Sequence, residues 1–72
     1  MMQTPQLLDV IALISDLPSP LLRRGQVGTI IECLAPGVFE VEFSDDQGRT
    51  YAQAAIHADQ LIVLHYQPLQ AA

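Results

Sequence analysis

Two glycines placed just before a run of β-branched residues constrain this chain more than any other feature. Gly25 and Gly28 precede the triplet Thr29-Ile30-Ile31. Glycine permits a positive φ angle and lets one strand pass close to another, whereas Thr and Ile favour a pleated, half-buried surface. The segment therefore predicts a bent strand that enters a small barrel. The pattern indicates a fold and does not point to a chemical activity.

The segment that follows is the clearest strand in the sequence. Between Val38 and Ser44, apolar residues alternate with glutamates: Phe39, Glu40, Val41, Glu42, Phe43. A period of two predicts a strand with one buried and one solvated face. Ala35-Pro36-Gly37 predicts a tight turn before this strand. Asp45-Asp46-Gln47-Gly48 predicts a polar turn after it, in which Asp side chains accept backbone hydrogen bonds.

The other elements complete an all-β pattern in one domain. Pro18 and Pro20 fix φ and remove backbone donors, so Ser15–Arg24 is predicted to be an ordered loop outside the β-ladder. The remaining elements are a first strand at Leu7–Ile14, a second at Gln26–Leu34, a return arm at Arg49–Ala54, one helical turn at Ile56–Gln60 and a last strand at Leu61–Tyr66. We therefore expect a small SH3-like five-stranded barrel with one short helical turn before the last strand. It spans residues 1–72 with a core at about 7–66 and frayed ends, including the tail from residue 67 onward.

Composition narrows the classes of partner. The chain has 72 residues, 50% of them hydrophobic and 6% aromatic, with a net charge of −5 and a pI near 4.4. Such a small domain has surplus apolar surface, which we expect to meet a protein partner. An acidic chain repels phosphate backbones and anionic lipid, so neither nucleic acid nor membrane is expected as a partner. The N-terminus lacks a basic region and no apolar run approaches ~18 residues, which indicates a cytoplasmic protein.

Residues that could carry chemistry are few and scattered. His57 and Asp59 lie two apart on the predicted helical turn, but no serine has an adjacent base in sequence. Cys33, the single cysteine, excludes an internal disulfide and is expected to be a buried thiol within a strand. His57, His65 and Cys33 show none of the paired spacings of zinc sites. The sequence therefore predicts no enzyme, no cofactor and no metal site.

Two surfaces are candidates for contact with a partner. The proposed contact residues are Leu17, Pro18, Pro20, Leu21 and Leu22 in the loop, with Glu40, Glu42, Asp45 and Asp46 in the following hairpin. The apolar loop either contacts a partner or folds back as a lid over one end of the barrel. The acidic hairpin either steers a basic partner or is a solvated face that discourages edge pairing. Glu32 joins the acidic group if strand pairing places it alongside.

The pattern resembles a family of small bacterial proteins known as domain of unknown function 4926. The resemblance covers about residues 7 to 64 and depends on Asp16-Leu17-Pro18, Gly25-Gln26-Val27-Gly28-Thr29-Ile30, Glu40-Val41-Glu42-Phe43, Asp45, Gly48 and Thr50. It implies an SH3-like barrel and no activity. The stretch from Gly25 to Ile31 is also similar to the glycine motif of KOW domains, which contact RNA through surrounding lysines and arginines.

These observations favour a non-catalytic protein-interaction module that restrains a larger partner, as an antitoxin or immunity protein does, or helps to assemble it as an accessory subunit. The alternative is a KOW-like RNA-binding domain in which Arg23, Arg24 and Arg49 contact phosphates. An enzyme or ligand-binding barrel ranks last, because side chains fill the interior of so small a barrel. Polyproline recognition is not expected from a chain without tryptophan. Formation of a homodimer stays open.

Overall fold

The computed structural model describes residues 4–68, in which the chain forms seven strands, and glycine or proline lies in four of the six connections between them. The strands are β1 (Val10–Leu13), β2 (Leu17–Pro18), β3 (Leu21–Leu22), β4 (Val27–Ala35), β5 (Val38–Ser44), β6 (Thr50–His57) and β7 (Leu61–Val63). A single turn of 3-10 helix at Ala58–Gln60 precedes β7. The predicted all-β class and the predicted helical turn before the last strand are confirmed.

Five of the strands form one antiparallel sheet in the order β6-β5-β4-β1-β7, and β2 and β3 form a separate two-stranded hairpin. The large sheet is open, because its two edge strands, β6 and β7, do not pair with each other in the described part of the chain. The closed ladder that the sequence led us to expect is therefore not seen. The inner face of the open sheet nevertheless encloses a single core.

Gly25 and Gly28 each perform one of the two roles predicted for glycine. Gly25 has a φ of +93°, and its N–H donates to the Leu13 carbonyl at 2.7 Å, which fixes the start of β4 against β1. A Cβ on Gly28 would lie 2.6 Å from Cγ1 of Val41 and 2.9 Å from the Glu42 carbonyl oxygen. The first glycine provides a left-handed turn, and the second lets β4 lie close against β5.

The core is built from alternate residues of the paired strands. Phe39, Val41 and Phe43 of β5 are buried as the alternation predicts, while Glu40 and Glu42 face outward and are half-buried. The buried hydrophobic residues in the described part of the chain are Ile11, Leu13, Leu22, Ile30, Phe39, Val41, Phe43, Ile56 and Leu61. Burying these aliphatic and aromatic side chains supplies the main stabilising contribution in a chain without a disulfide.

The first strand is shorter than predicted because a turn replaces its beginning. The Asp9 N–H donates to the Gln6 carbonyl at 3.0 Å, and the Asp9 carboxylate accepts from the Gln6 N–H at 2.9 Å. Leu8 lies within this turn and has a φ of +71°, which is uncommon for a residue with a side chain. A local hydrogen-bonded turn therefore overrides the strand tendency of the apolar run at Leu7–Ile14.

The proline-containing loop was predicted to stay outside any ladder, and this prediction is wrong. Leu17 pairs with Leu22, and Pro18 pairs with Leu21, as β2 and β3. A two-stranded ribbon leaves many backbone groups unpaired, so proline can occupy one of its positions without removing a ladder bond. The Ser19–Pro20 peptide bond in the connecting turn is cis. The segment is a small hairpin, which we call the β2–β3 hairpin.

Strand ends differ from the predicted bounds for packing reasons. β6 continues to His57 because Ile56 pairs with Phe39 and is buried in the core, so the helical turn begins two residues later than predicted. β7 ends at Val63, and the pairing with β1 closes with the bond from the Leu64 N–H to the carbonyl of Val10, the first residue of β1. The prediction of frayed ends falls partly on residues 1–3 and 69–72, which lie outside the described residues.

Candidate interaction surfaces

The β2–β3 hairpin has one face in the core and one face in solvent. Leu17 and Leu22 are directly paired; Leu22 is 1% exposed and Leu17 packs against the core. Pro18 and Leu21, the other pair, are both exposed, and Leu21 is 67% exposed. The loop therefore folds back into the core at Leu22, while part of it stays exposed. Leu22 is a core residue and cannot contact a partner, whereas Pro18, Pro20 and Leu21 are accessible.

Backbone hydrogen bonds hold the base of this hairpin to the large sheet. The Leu13 N–H donates to the Gln26 carbonyl at 2.9 Å, next to the bond between Gly25 and Leu13. The Arg24 N–H donates to the Asp16 carboxylate at 2.8 Å across the base of the loop. Because its base is fixed and one of its faces is buried, the backbone of the hairpin is held in place where the exposed pair, Pro18 and Leu21, lies.

The carboxylates of the sheet form a group on its outer face. Glu32 of β4 lies directly opposite Glu40 of β5, so these two side chains share a face, and Glu42 follows two residues along the same strand. The expectation that Glu32 joins the acidic group if pairing allows it is confirmed. Like charges placed directly opposite each other destabilise a sheet. The amide of Gln53 donates to the Glu42 carboxylate at 3.4 Å.

The side chain of Asp45 makes hydrogen bonds within its own turn. Its Oδ1 accepts from the N–H groups of Gln47 and Arg49, each at 2.9 Å, and its Oδ2 lies 3.2 Å from Nε of Arg49. The backbone hydrogen bond from Arg49 is the main reason that the pKa of Asp45 lies below its ordinary value. The predicted Asx-type turn is confirmed, with Gly48 at a φ of +80°. Asp46, in contrast, is exposed.

The predicted contact residues therefore divide into separate groups. Glu32, Glu40 and Glu42 share one face of the sheet, whereas Asp45 and Asp46 lie at the tip of the β5–β6 hairpin. Within residues 4–68, no hydrogen bond or ion pair joins the β2–β3 hairpin to any of these carboxylates. The guanidinium of Arg49, one of the proposed phosphate contacts, is also held by the side chain of Gln47 at 2.8 Å.

The residues that the sequence analysis considered for catalysis or metal binding, Cys33 and His57, lie at the surface. Cys33 is exposed, so the expectation of a buried thiol is wrong. It pairs with Phe39, but the stretch from Glu32 to Ala35 extends beyond the core toward the turn at Pro36. His57 is exposed at the start of the 3-10 turn, where its N–H donates to the side-chain oxygen of Gln60 at 3.0 Å. The described residues contain no cluster of three or more metal-binding side chains and no helix able to cross a membrane.

An apolar surface on the outer side of the sheet was missed at the sequence level. Ala12 of β1 lies between Val27 of β4 and Ile62 of β7, and all three share the outer face. Val27 is 45% exposed and Ile62 is 53% exposed. We call this surface, together with Val10, Ile14 and Leu64, the outer apolar face. The residues come from distant parts of the chain, so only the strand register reveals their proximity.

Comparison with known proteins identifies a family and no activity. No curated protein and no solved structure matches the chain significantly. The family model described as a domain of unknown function, DUF4926, matches residues 7–63, from the turn before β1 to the end of β7. The match thus covers the β2–β3 hairpin, the carboxylates of the outer face and most of the outer apolar face. The chain belongs to the DUF4926 family.

Proposed function

We propose that this chain is a non-catalytic protein-interaction module that binds a larger partner and either restrains its activity or helps to assemble it. The observation that carries the proposal is the β2–β3 hairpin, which buries Leu22, packs Leu17 against the core and leaves Pro18 and Leu21 exposed. A small domain gains stability from the inward-facing pair while the exposed pair stays available for contact.

An SH3-like barrel is the fold that we propose in finer detail. Three features support it: the order of the five main strands, the long excursion between β1 and β4, and the single helical turn before the last strand. In SH3-like barrels the loop after the first strand borders the usual ligand groove. The β2–β3 hairpin occupies the corresponding part of this chain, which supports its role as a contact surface.

Charge supports a basic partner. The net charge is −5, and of the three cationic side chains Arg49 is already paired with Asp45. Electrostatic complementarity raises association rates and disfavours partners of the same sign. A protein with a basic binding site is therefore the partner class that we propose, in preference to RNA. The exposed thiol of Cys33 is compatible with the reducing cytoplasm, where we place this function.

The content of the core supports a role without catalysis. Every side chain in the buried cluster is hydrophobic. Enzymes usually hold an acid, a base or a nucleophile in a cleft where its reactivity is tuned by burial and neighbours. The described histidines and the cysteine are exposed, far from such an environment.

Capture from native cell extract tests the proposal. The bait is the full chain with an affinity tag, compared with Leu21→Ser on the β2–β3 hairpin and with Tyr66→Ser as a matched control. Tyr66 is exposed and follows β7, away from the hairpin in sequence. We expect one dominant partner, its yield reduced about tenfold by Leu21→Ser and unchanged by Tyr66→Ser.

The activity of the captured protein then separates the two roles. Activity that falls when the chain is added identifies an inhibitor, and activity that rises identifies an accessory subunit. Recovery of no specific partner, or recovery that Leu21→Ser leaves unchanged, would contradict the proposed use of the hairpin.

A further inference from the structure

The outer apolar face is an apolar surface outside the core that the strand register brings together from three strands. In one row Ile62, Ala12 and Val27 lie side by side across β7, β1 and β4. In the next row Val10 lies beside Thr29, and the Leu64 N–H donates to the Val10 carbonyl at 2.8 Å. Ile14, which follows β1 on the same side, is 47% exposed. Val10, Ala12 and Leu64 are half-buried between these exposed residues, and contiguous apolar patches of this kind mark interaction sites on soluble proteins.

The dimensions of this face fit one α-helix. Three neighbouring strands span two interstrand spacings, about 9 to 10 Å in total. A helix with its side chains is about 10 to 12 Å in diameter. Along β1, the residues from Val10 to Ile14 extend roughly 13 Å, which corresponds to about nine residues of helix. The face has the width and length of a short amphipathic helix laid along the strands.

The neighbouring half of the same outer surface is acidic, and its strands, β4 and β5, contain no lysine or arginine. Thr29 pairs with Glu42, so the row that begins at Val10 continues directly to a carboxylate. Beyond it Glu32 and Glu40 oppose each other. Within the described chain, the only ion pair joins Arg49 to Asp45, and none involves these glutamates. An opposed pair of like charges costs the isolated protein stability, which a bound cation would offset.

From this juxtaposition we propose that the outer apolar face binds an amphipathic α-helix of a partner protein, with lysines or arginines along the side that lies over β5. The proposal rests on the proposed function and names the chemistry of the partner. A second copy of this chain is the wrong occupant on charge grounds, because it would bring the same net charge of −5 toward Glu32, Glu40 and Glu42.

The direct test uses a synthetic helical peptide of leucine and lysine, about fourteen residues long so that it can form a helix. Its affinity for the full chain is measured by calorimetry, and its position by NMR shift changes. We expect shift changes at Val10, Ala12, Val27 and Ile62, and an affinity that falls as salt rises. Ile62→Ser should weaken binding about tenfold, because it removes one buried aliphatic side chain.

Three comparisons make the test specific. Leu21→Ser, an equally apolar and exposed change on the β2–β3 hairpin, should leave the affinity within about twofold. A peptide with glutamate in place of lysine should not bind. Glu40→Gln should weaken binding about threefold while raising the urea midpoint, since it removes the like-charge pair. That opposite pair of effects distinguishes a binding role from a merely structural one.

Several results would overturn the proposal. They are equal weakening by Leu21→Ser and Ile62→Ser, equal binding of the glutamate peptide, and a dimer in sedimentation that Ile62→Ser dissociates. A chain ending at Pro68 that binds the peptide tenfold more tightly would assign the face to the protein's own C-terminus instead. If a captured cellular partner depends on Leu21 and ignores Ile62, the interaction function stands and the helix site is refuted. If the peptide binds as expected but no cellular partner is captured, the helix site stands and the proposed interaction function is refuted.

Discussion

Replacing Gly28 by alanine should destabilise this protein by overcrowding the contact between β4 and β5. The added Cβ would lie 2.6 Å from Cγ1 of Val41, and 2.9 Å from both the Glu42 carbonyl oxygen and Cδ1 of Phe43. Carbon atoms in contact are normally about 3.5 to 4.0 Å apart. Val41 and Phe43 are both fully buried, and the third atom belongs to the paired backbone. None of the three neighbours can move without disturbing the core or the ladder.

The magnitude follows from two opposing terms. Overpacking in a core costs about 1 to 3 kcal/mol, and the upper end applies here because three atoms obstruct the methyl group. Alanine also restricts the unfolded chain, which returns about 0.5 to 1 kcal/mol. The net loss is therefore about 2 kcal/mol. A domain of 72 residues has a free energy of unfolding of roughly 4 to 11 kcal/mol, so the melting temperature should fall by about 8 to 16 °C.

Urea denaturation followed by circular dichroism measures this loss, and a second glycine provides the control. Gly37 has a φ of +75° and open space where a Cβ would be, so Gly37→Ala reports only the backbone cost of about 1 kcal/mol. In a Val41→Ala background the nearest obstacle is gone, and the cost of Gly28→Ala should fall by at least half. A Gly28→Ala variant within about 0.5 kcal/mol of the parent, or an unchanged cost in the Val41→Ala background, would refute the steric argument.

Four further outcomes can be checked on the same protein. Leu8→Gly should raise the free energy of unfolding by about 0.5 kcal/mol, since relief of a positive φ outweighs the added chain entropy; a lower melting temperature would contradict this. The hydrogen bond from Arg49 lowers the pKa of Asp45 in the folded protein below its ordinary value of 3.8. The stabilisation that results is present above pH 3.8 and is lost as the pH falls through the folded pKa. Asp45→Asn should remove this part of the acid dependence, which urea titrations at a series of pH values measure. The Cys33 thiol should react with a chromogenic disulfide in the native state within about threefold of the rate in urea, and slow reaction would mean that it is covered. No RNA binding is expected at low salt, whereas salt-sensitive binding abolished by Arg23→Ala would restore the KOW-like alternative.

Local patterns in the sequence predicted the elements whose causes are local. The bounds of β5 follow from its strict alternation, and both turns around it follow from Pro36, Gly37 and Gly48. The turn at Asp45 follows from its residue types, because the Asp45 side chain bonds to backbone groups within four residues of it. In each of these cases the stabilising interactions lie within a few positions of the residue itself.

Features that depend on contacts between distant strands were not predictable in this way. Cys33 was expected in the core because its strand is apolar, but its burial depends on how far β4 extends past the packing of β5. Pairing within the β2–β3 hairpin depends on Leu22 having a place in the core. The outer apolar face combines Val27 and Ile62, whose proximity depends on β1 lying between them. All three features depend on which residues of distant segments lie side by side, and a local sequence pattern does not contain that information.

The open sheet leaves one long strand with an unpaired side. β6 runs for eight residues, Thr50–His57, and among residues 4–68 it pairs only with β5. Its sequence contains no proline and no lysine, arginine or acidic residue, the usual safeguards of such an edge. Its row of free amides and carbonyls is a template to which an extended segment of another chain can add. In a concentrated solution, β6 is therefore where we expect intermolecular strand addition, and with it fibrillar aggregation, to begin.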